Sequence, residues 1–67
     1  MLSARNQFRG TIKSVHLGEV MAEVVVSVGE LEIVSAITRG SAERMDLNPG
    51  DEVVAVIKST EVLIAKD

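Results

Sequence analysis

Residues 20–38, VMAEVVVSVGELEIVSAIT, decide the fold, because apolar residues recur there at every second position on both sides of a single glycine. A period of two is typical of β-strands, in which alternate side chains point to opposite faces. Two strands are therefore predicted, over 20–28 and 31–38, with a tight turn at Gly29 between them. The residues on the predicted inner faces are Val20, Ala22, Val24, Val26 and Val28 in the first strand and Leu31, Ile33 and Ile37 in the second.

The chain on either side of this hairpin continues the strand pattern. QFRGTIKSVHL, 7–17, predicts a strand before it, in which Gly10 indicates a bulge or a close approach of another backbone. EVVAVIK, 52–58, and EVLIA, 61–65, predict two strands after it, separated by Ser59-Thr60. Together with the hairpin, these segments make five strands.

The period changes between the third and fourth predicted strands. SAERMDL, 41–47, predicts one helical turn with Ser41 as its N-cap and with Met45 and Leu47 facing the core. NPGD, 48–51, with proline at its second position, is typical of a β-turn. This element order predicts an all-β fold, an OB-type five-stranded Greek-key barrel with one short helical turn between strands 3 and 4. An SH3-like barrel is the nearest alternative.

The composition indicates a single domain that assembles with other copies. The 67 residues allow one domain, 1–67, and so small a domain buries only about 60% of its unfolded surface. Yet 46% of the residues are hydrophobic, and no cysteine is present to form a disulfide. Met21 and Val25 make even the outer face of a predicted strand apolar. Small domains with this excess are commonly stabilised by oligomerisation, so subunit interfaces are expected.

The charge and the apolar runs exclude several classes of function. The formal net charge is −3 and Phe8 is the sole aromatic residue, whereas single-strand nucleic-acid binders combine a cationic field with aromatic stacking platforms. No apolar run approaches the roughly 20 residues of a membrane span. The N-terminus lacks the basic and apolar segments of a signal peptide. The expected class is a soluble cytoplasmic protein that binds neither nucleic acid nor membrane.

The sequence lacks the residues that catalytic and cation-binding sites need. His16 is the sole histidine and there is no cysteine, so nucleophilic catalysis would depend on His16 and a hydroxyl group. The carboxylates are scattered and form neither a calcium loop nor a zinc constellation. No phosphate-binding glycine loop is present. The sequence therefore predicts neither an enzyme nor a metal-cation site.

Three short segments instead supply hydrogen-bond donors at strand ends or breaks. Ser3–Asn6 (SARN) offers a guanidinium, a hydroxyl and an amide, and Lys58–Thr60 (KST) offers an ammonium and hydroxyls. Thr38–Ser41 (TRGS) offers hydroxyls and N–H groups at the start of the helical turn. Such donors suit a small oxyanion. The same segments also allow, in that order, a frayed chain start, a plain β-turn and a helix cap.

SARNQ near the start, together with GEVMAEVVV (18–26), AITRGSAERMDLNPGD (36–51) and VVAVIKSTEVLIA (53–65), resembles the Mop domain, the molybdate-binding module of the molbindins. The pairing of SARN with a later KST carries the resemblance, which extends over nearly the whole chain. It implies an OB-type barrel that assembles as a trimer of dimers. It also implies molybdate or tungstate as the ligand, bound at subunit interfaces without any other cofactor.

The resemblance further implies which residues bind the oxyanion. One family site joins the N-terminal motif of one subunit to the KST segment of another, which here implies Ser3, Arg5, Lys58 and Ser59, with Ala4, Asn6 and Thr60 nearby. A second family site uses the loop after the third strand, here Thr38 and Ser41, near Lys58. Phe8 and Arg9 stand where a smaller aliphatic residue and a lysine are expected, and Arg9 is left unassigned.

The chemistry of molybdate agrees with these donor segments. Molybdate is a tetrahedral dianion with acceptor oxygens only, so its site needs donors and a nearby carboxylate would repel it. Six copies at −3 each would carry −18, so the long-range field opposes anion capture and binding must rest on local donors. The expected function is intracellular storage or homeostasis of molybdate, and of tungstate. The alternative is a small OB-type protein-interaction module without a storage role.

Overall fold

The computed structural model describes residues 4–67 as one antiparallel sheet with a short helix. The chain order is β1 (Asn6–Leu17), β2 (Met21–Val28), β3 (Leu31–Thr38), α1 (Arg39–Arg44) and β4 (Glu52–Ile57), followed by a 3-10 turn at Ser59–Glu61. The strands lie in the order β3-β2-β1-β4, so β3 and β4 are the edges of the sheet. Within residues 4–67, no helix has the length and apolar character needed to cross a membrane. The fold is all-β with one short helix, as predicted.

The β2–β3 hairpin is built as its alternation predicts. The strands pair antiparallel along their whole length, and Gly29 makes the turn with a φ of +58°, a conformation that glycine adopts without strain. Ala22, Val24 and Val26 are buried on the inner face. Val20 was predicted to join them, but it precedes β2 and is 72% exposed.

Strand β1 is long enough to pair with two neighbours in turn. Its second half pairs with β2, and its first half pairs with β4. A Cβ atom on Gly10 would lie 2.4 Å from the carbonyl oxygen of Ser27, so glycine is required for this approach of two backbones. The register of β1 on β2 then shifts between Ile12 and Ser14. The close approach predicted at Gly10 is thus present, and a bulge follows it.

The core lies on the inner face of the sheet. Its centre consists of Ile12, Val24 and Val26, which are 2%, 3% and 4% exposed. The partly buried residues that pack against this centre are Val15, Val28, Ile37, Leu47 and Val53. Ile12 precedes the register shift and Val15 follows it, so β1 turns even-numbered side chains inward before the shift and odd-numbered ones after it.

Helix α1 begins earlier than predicted. Thr38, not Ser41, is its N-cap, and the Thr38 hydroxyl oxygen accepts a hydrogen bond from the Ser41 N–H at 3.1 Å. Thr38 is the last residue of β3 and is still extended, with a φ of −71° and a ψ of 148°. The predicted cap was wrong because one threonine ends the strand and caps the helix, which leaves no loop between them.

The end of α1 also differs from the turn predicted over 41–47. The helix ends at Arg44, and Asp46 turns the chain with a φ of +50°, which is uncommon for a residue other than glycine. Leu47 packs on the core as predicted, but Met45 is 58% exposed. Met45 follows the last helical residue and lines an open cavity beside the core, which leaves its side chain exposed in the single chain.

The strand predicted over 61–65 is absent from the single chain. After the 3-10 turn, residues 62–67 continue without regular structure, and Leu63 and Ile64 are 93% and 88% exposed. A strand needs a neighbouring strand to receive its hydrogen bonds, and this segment has none within the described chain. The single chain is therefore a four-stranded open sheet and not a five-stranded barrel.

An open cavity of about 660 Å³ lies between the edges of this sheet. Strand β3 lines one side of the cavity from Ile33 to Ile37, and β4 lines the other from Val53 to Ile57. Lys58 and Glu61 stand at the end of the β4 side. The sheet therefore curls enough for both edges to face one cavity, although β3 and β4 do not pair.

Candidate functional site

The pairing of β1 with β4 brings two of the donor segments together. Asn6, the first residue of β1, pairs with Ile57, the last residue of β4. Arg5 directly precedes Asn6 and Lys58 directly follows Ile57, so both cations stand at one end of this ladder. Ser3, which was assigned to the same set, lies outside the described residues. The SARN and KST segments, far apart in the sequence, are thus neighbours within one chain.

Arg5 and Lys58 both face solvent at this end of the ladder. Asn6 and Ile57 are half-buried, whereas Arg5 and Lys58 are exposed, which is the alternation of an antiparallel ladder continued by one residue. The same register, continued, sets Arg5 opposite Lys58. Neither cation takes part in an ion pair among residues 4–67, where the pairs involve other basic residues. Both charges are therefore available to an anion.

The residues just before β1 are tied to the strand. The side-chain amide of Gln7 donates a hydrogen bond to the carbonyl oxygen of Ala4 at 2.9 Å. Ala4 is half-buried, so the backbone that carries Arg5 is held close to β1. Gln7 was not among the predicted site residues. Gln7 could have been identified from its position two residues after Arg5, because residues two apart in an extended chain share a face.

Lys58 leads directly into the 3-10 turn. It is extended, with a φ of −68° and a ψ of 141°, and its carbonyl oxygen accepts a hydrogen bond from the Glu61 N–H at 2.9 Å. Ser59 and Thr60 are exposed, and the first N–H groups of a helical turn have no partner within it. The segment thus offers an ammonium, two hydroxyls and main-chain N–H groups. The exposed carboxylate of Glu61 would repel an anion bound by these donors.

The second predicted set, Thr38 and Ser41, forms the cap of α1. The two hydroxyl groups are hydrogen-bonded to each other at 2.8 Å, and Arg44 Nη2 donates to the Ser41 oxygen at 3.4 Å. Thr38 lies at the opposite end of the sheet from the ladder end that carries Lys58. A single chain therefore does not bring this set beside Lys58.

His16 lies apart from both donor sets. It is exposed on β1 and stands opposite Glu23 of β2. Within residues 4–67, no three histidine, cysteine, aspartate or glutamate side chains form a group that could hold a metal ion. Arg5 and Lys58 lie elsewhere, directly beyond the joined ends of β1 and β4.

Sequence comparison relates the chain to molybdenum proteins of two sizes. The TOBE domain model matches residues 2–64. The molybdenum transport protein ModE of Herbaspirillum seropedicae is 41% identical over 66 residues, which cover 97% of this chain and 24% of that protein. Molybdenum-pterin-binding protein 3 of Clostridium pasteurianum is 44% identical over 64 residues, which cover 94% of each chain. The chain thus spans 24% of such ModE proteins but nearly all of the small relatives.

Solved structures of small proteins share this fold. A molybdate binding protein from Sporomusa ovata superposes with a TM-score of 0.94 at 41% identity, and the match covers 98% of both chains. MopII from Clostridium pasteurianum superposes with a TM-score of 0.92 at 40% identity, covering 98% of this chain and 100% of that one. The similarity therefore includes the sheet, α1 and the ladder end that carries the donors.

Proposed function

The chain belongs to the TOBE domain family, and we propose that it binds molybdate through donors at the joined ends of β1 and β4. The observation that carries this proposal is the pairing of Asn6 with Ile57, which makes neighbours of the SARN and KST segments. The molybdate and molybdenum-pterin proteins among its relatives support the choice of ligand. The proposed binding residues are Ser3, Ala4, Arg5, Asn6, Lys58, Ser59 and Thr60.

The donor chemistry of this set suits a tetrahedral dianion. Arg5 supplies planar, directed N–H groups and Lys58 supplies a mobile point charge. The hydroxyl of Ser59 and main-chain N–H groups would complete the shell without adding a carboxylate. Each hydrogen bond to a charged group contributes about 1.5–3 kcal/mol net, so a few of them overcome the repulsion from a chain whose net charge is −3. Binding requires no reaction, and we propose none.

We propose that the chain works as a homo-oligomer, a trimer of dimers, in which the fifth strand forms. Leu63 and Ile64 are almost fully exposed, and exposed apolar segments beside unpaired sheet edges commonly mark contacts between chains. Residues 61–65 of a second copy would fill the cavity between β3 and β4 and complete an OB-type barrel. Lys58 lines that cavity, so the donors would stand at the subunit boundary.

The remaining features of the proposal follow from the same resemblance. Thr38 and Ser41 are proposed as a second oxyanion site, to which a neighbouring subunit would bring the Lys58 that one chain does not supply. Tungstate has the charge and shape of molybdate and would use both sites. We propose that the protein stores or buffers these ions in the cytoplasm.

Equilibrium titration of the assembled protein with molybdate, tungstate and sulfate tests this function. Saturable molybdate binding at micromolar concentration is expected, with weaker binding of sulfate. Arg5→Ala and Lys58→Ala should each weaken binding by about 10- to 100-fold, because each removes a charge-assisted hydrogen bond. Lys13→Ala is the control, since it removes one exposed cation from another part of the sheet, where Lys13 is paired with Glu32. No saturable binding, or equal affinity for sulfate, would refute the proposal.

Mixed assemblies then show whether a site belongs to one chain or to two. Arg5→Ala and Lys58→Ala chains are unfolded together, refolded and titrated. If each site takes Arg5 from one subunit and Lys58 from another, about a quarter of the sites regain both residues by random assembly. If both residues come from the same chain, no site regains both. Recovery of tight sites therefore supports the inter-subunit arrangement, and its absence assigns the site to the single chain.

A second candidate function is an OB-type protein-interaction module. The observation in its favour is again the exposed apolar segment around Leu63, which would serve a different protein as well as a second copy. Gel filtration with light scattering separates the two. A hexamer supports the oxyanion proposal, whereas a monomer that binds no molybdate supports the interaction module.

A further inference from the structure

Arg9 is a cation close to the proposed site that the binding set does not use. It lies in the half of β1 that pairs with β4, where it stands opposite Val54. Its side chain is exposed and takes part in no ion pair among residues 4–67. Arginine stands here where a lysine is expected, so the positive charge is the same for both residues.

The outer side of the β1–β4 ladder carries positive charge without a carboxylate between its cations. Odd-numbered residues of β1 up to Thr11 and even-numbered residues of β4 share this side. The ladder positions on this side between Arg9 and the end that carries Arg5 and Lys58 are occupied by glutamine and valine. The first carboxylate on this side is Glu52, which lies beyond Arg9 and opposite Thr11. We call Arg5, Arg9 and Lys58 the cationic face.

The spacing shows that Arg9 acts on the site from a distance. Four residues of a strand separate Arg9 from Arg5, which is about 13 Å at the usual rise of about 3.3 Å per residue. Side chains stand roughly perpendicular to a sheet, so Arg9 would contact an ion held by Arg5 only if both side chains bent toward each other along the strand. The separation is nevertheless well inside the Debye length of about 30 Å at 0.01 M salt, although it exceeds the length of about 8 Å at 0.15 M.

We propose that Arg9 is an entry residue, which draws molybdate onto the cationic face before Arg5 and Lys58 bind it. This inference rests on the proposed function. A chain of net charge −3 repels a dianion at long range, so capture depends on a path along which the local field is positive. The cationic face provides that path, and it ends at the binding residues. Arg9 raises the association rate and leaves the dissociation rate unchanged, as charges at the rim of a binding site do.

Stopped-flow mixing of the assembled protein with molybdate, read by an indicator of free molybdate, tests the proposal. At 0.01 M ionic strength, Arg9→Gln should lower the association rate constant about twofold and Arg9→Glu about fourfold, which is the Coulomb energy of one and two charges at about 13 Å. Arg9→Lys should match the unmodified protein. At 0.15 M the differences should fall to about 1.2-fold for Arg9→Gln and about 1.5-fold for Arg9→Glu. Dissociation rates should be equal in all variants.

Lys13→Gln is the distance control, because it removes one positive charge about twice as far along β1, where Lys13 is paired with Glu32, and it should change the rate less than about 1.3-fold. Equal association rates in the whole Arg9 series would overturn the proposal. So would a faster dissociation with unchanged association, which would make Arg9 a ligand or a structural residue. Light scattering confirms that each variant is assembled. If the unmodified protein itself binds no molybdate, the proposed function fails first and takes this inference with it.

Discussion

The β2–β3 hairpin and the segment after β4 have similar sequences and opposite structures. Both are rich in valine, leucine and isoleucine over a strand's length, in alternation in the hairpin and as one continuous apolar run at 62–65. The hairpin pairs along its whole length and buries Val24 and Val26, whereas residues 62–67 form no strand and leave Leu63 and Ile64 exposed. The difference lies in the neighbours. Each hairpin strand pairs with the other across Gly29, whereas the last segment has no pairing strand among residues 4–67.

This contrast separates the elements that a single chain forms by itself from the element that we expect to form only when chains assemble. Alternation specifies which side chains share a face, but it does not specify a neighbour. The hairpin needs only local contacts and is therefore a property of the single chain. The last segment retains the pattern of a strand and should become one only against a second copy. Four substitutions test this division, from the largest expected effect on the single chain to the smallest.

Ile12→Ala should cause the largest loss of stability. Ile12 is 2% exposed at the centre of the core, so its truncation leaves a cavity that the β-sheet closes only in part. The free energy of unfolding should fall by about 2–5 kcal/mol. Urea denaturation measures it, with Ile12→Val, at about 0.5–1.5 kcal/mol, as the graded control. A loss below 0.5 kcal/mol for Ile12→Ala would mean that the hairpin core does not stabilise the single chain.

Gly10→Ala should destabilise the ladder that carries the donors. The new Cβ would lie 2.4 Å from the Ser27 carbonyl oxygen, and a backbone atom cannot move aside as a flexible side chain does. A loss of about 1–3 kcal/mol is expected, together with weaker molybdate binding. Gly29→Ala is the control, because it meets no atom within 4 Å and carries only the strain of a positive φ. Equal molybdate affinity in Gly10→Ala would disconnect the ladder from the site.

Thr38→Val should weaken the junction of β3 with α1. Valine keeps the shape of threonine but removes the oxygen that accepts the Ser41 N–H, which costs about 1 kcal/mol for an N-cap. Thr38→Ser keeps the oxygen and should recover most of that loss. Urea denaturation of both variants gives the comparison. If Thr38→Val and Thr38→Ser are equally stable, the cap does not hold the end of the hairpin.

Ile64→Ala should have the smallest effect on the single chain and a clear effect on assembly. Ile64 is 88% exposed, so unfolding of a dilute, dissociated chain should change by less than about 0.5 kcal/mol. The concentration at which the oligomer dissociates should rise about tenfold or more, because the same side chain would be buried in the proposed assembly. Analytical ultracentrifugation measures that concentration. An unchanged assembly would show that the last segment is not the missing strand.

The local sequence pattern predicted the parts of the fold that form through contacts between residues close in the sequence. The strand over 31–38 was predicted at its observed bounds, Leu31–Thr38, and the close approach at Gly10 was foreseen from a glycine inside a strand. The cap of α1 was misassigned because Thr38 serves two elements at once. The strand over 61–65 was expected because EVLIA is a short apolar run of β-forming residues, although residues 4–67 of one chain supply no strand that pairs with it.

The sequence predicted the donor segments of the candidate site but not how they lie relative to one another. The donor content of SARN and KST is visible in the sequence, as is their placement at strand ends. Their juxtaposition in one chain depends on the pairing of β1 with β4, which alternation cannot select among possible partners. The spacing of four residues already predicts that Arg9 and Arg5 share a side of an extended chain, but the position of Lys58 beside them depends on the pairing of Asn6 with Ile57.

The pairing of Asn6 with Ile57 also sets the order of events in folding. The hairpin joins residues that are close in the sequence and can form early, whereas this ladder closes a loop that contains most of the chain. The ladder is therefore formed late and opens first, and the amide hydrogens of β4 should exchange with solvent faster than those of β2. A bound oxyanion would hold Arg5 to Lys58 and would slow that opening. Ligand binding would therefore complete the folding of the chain.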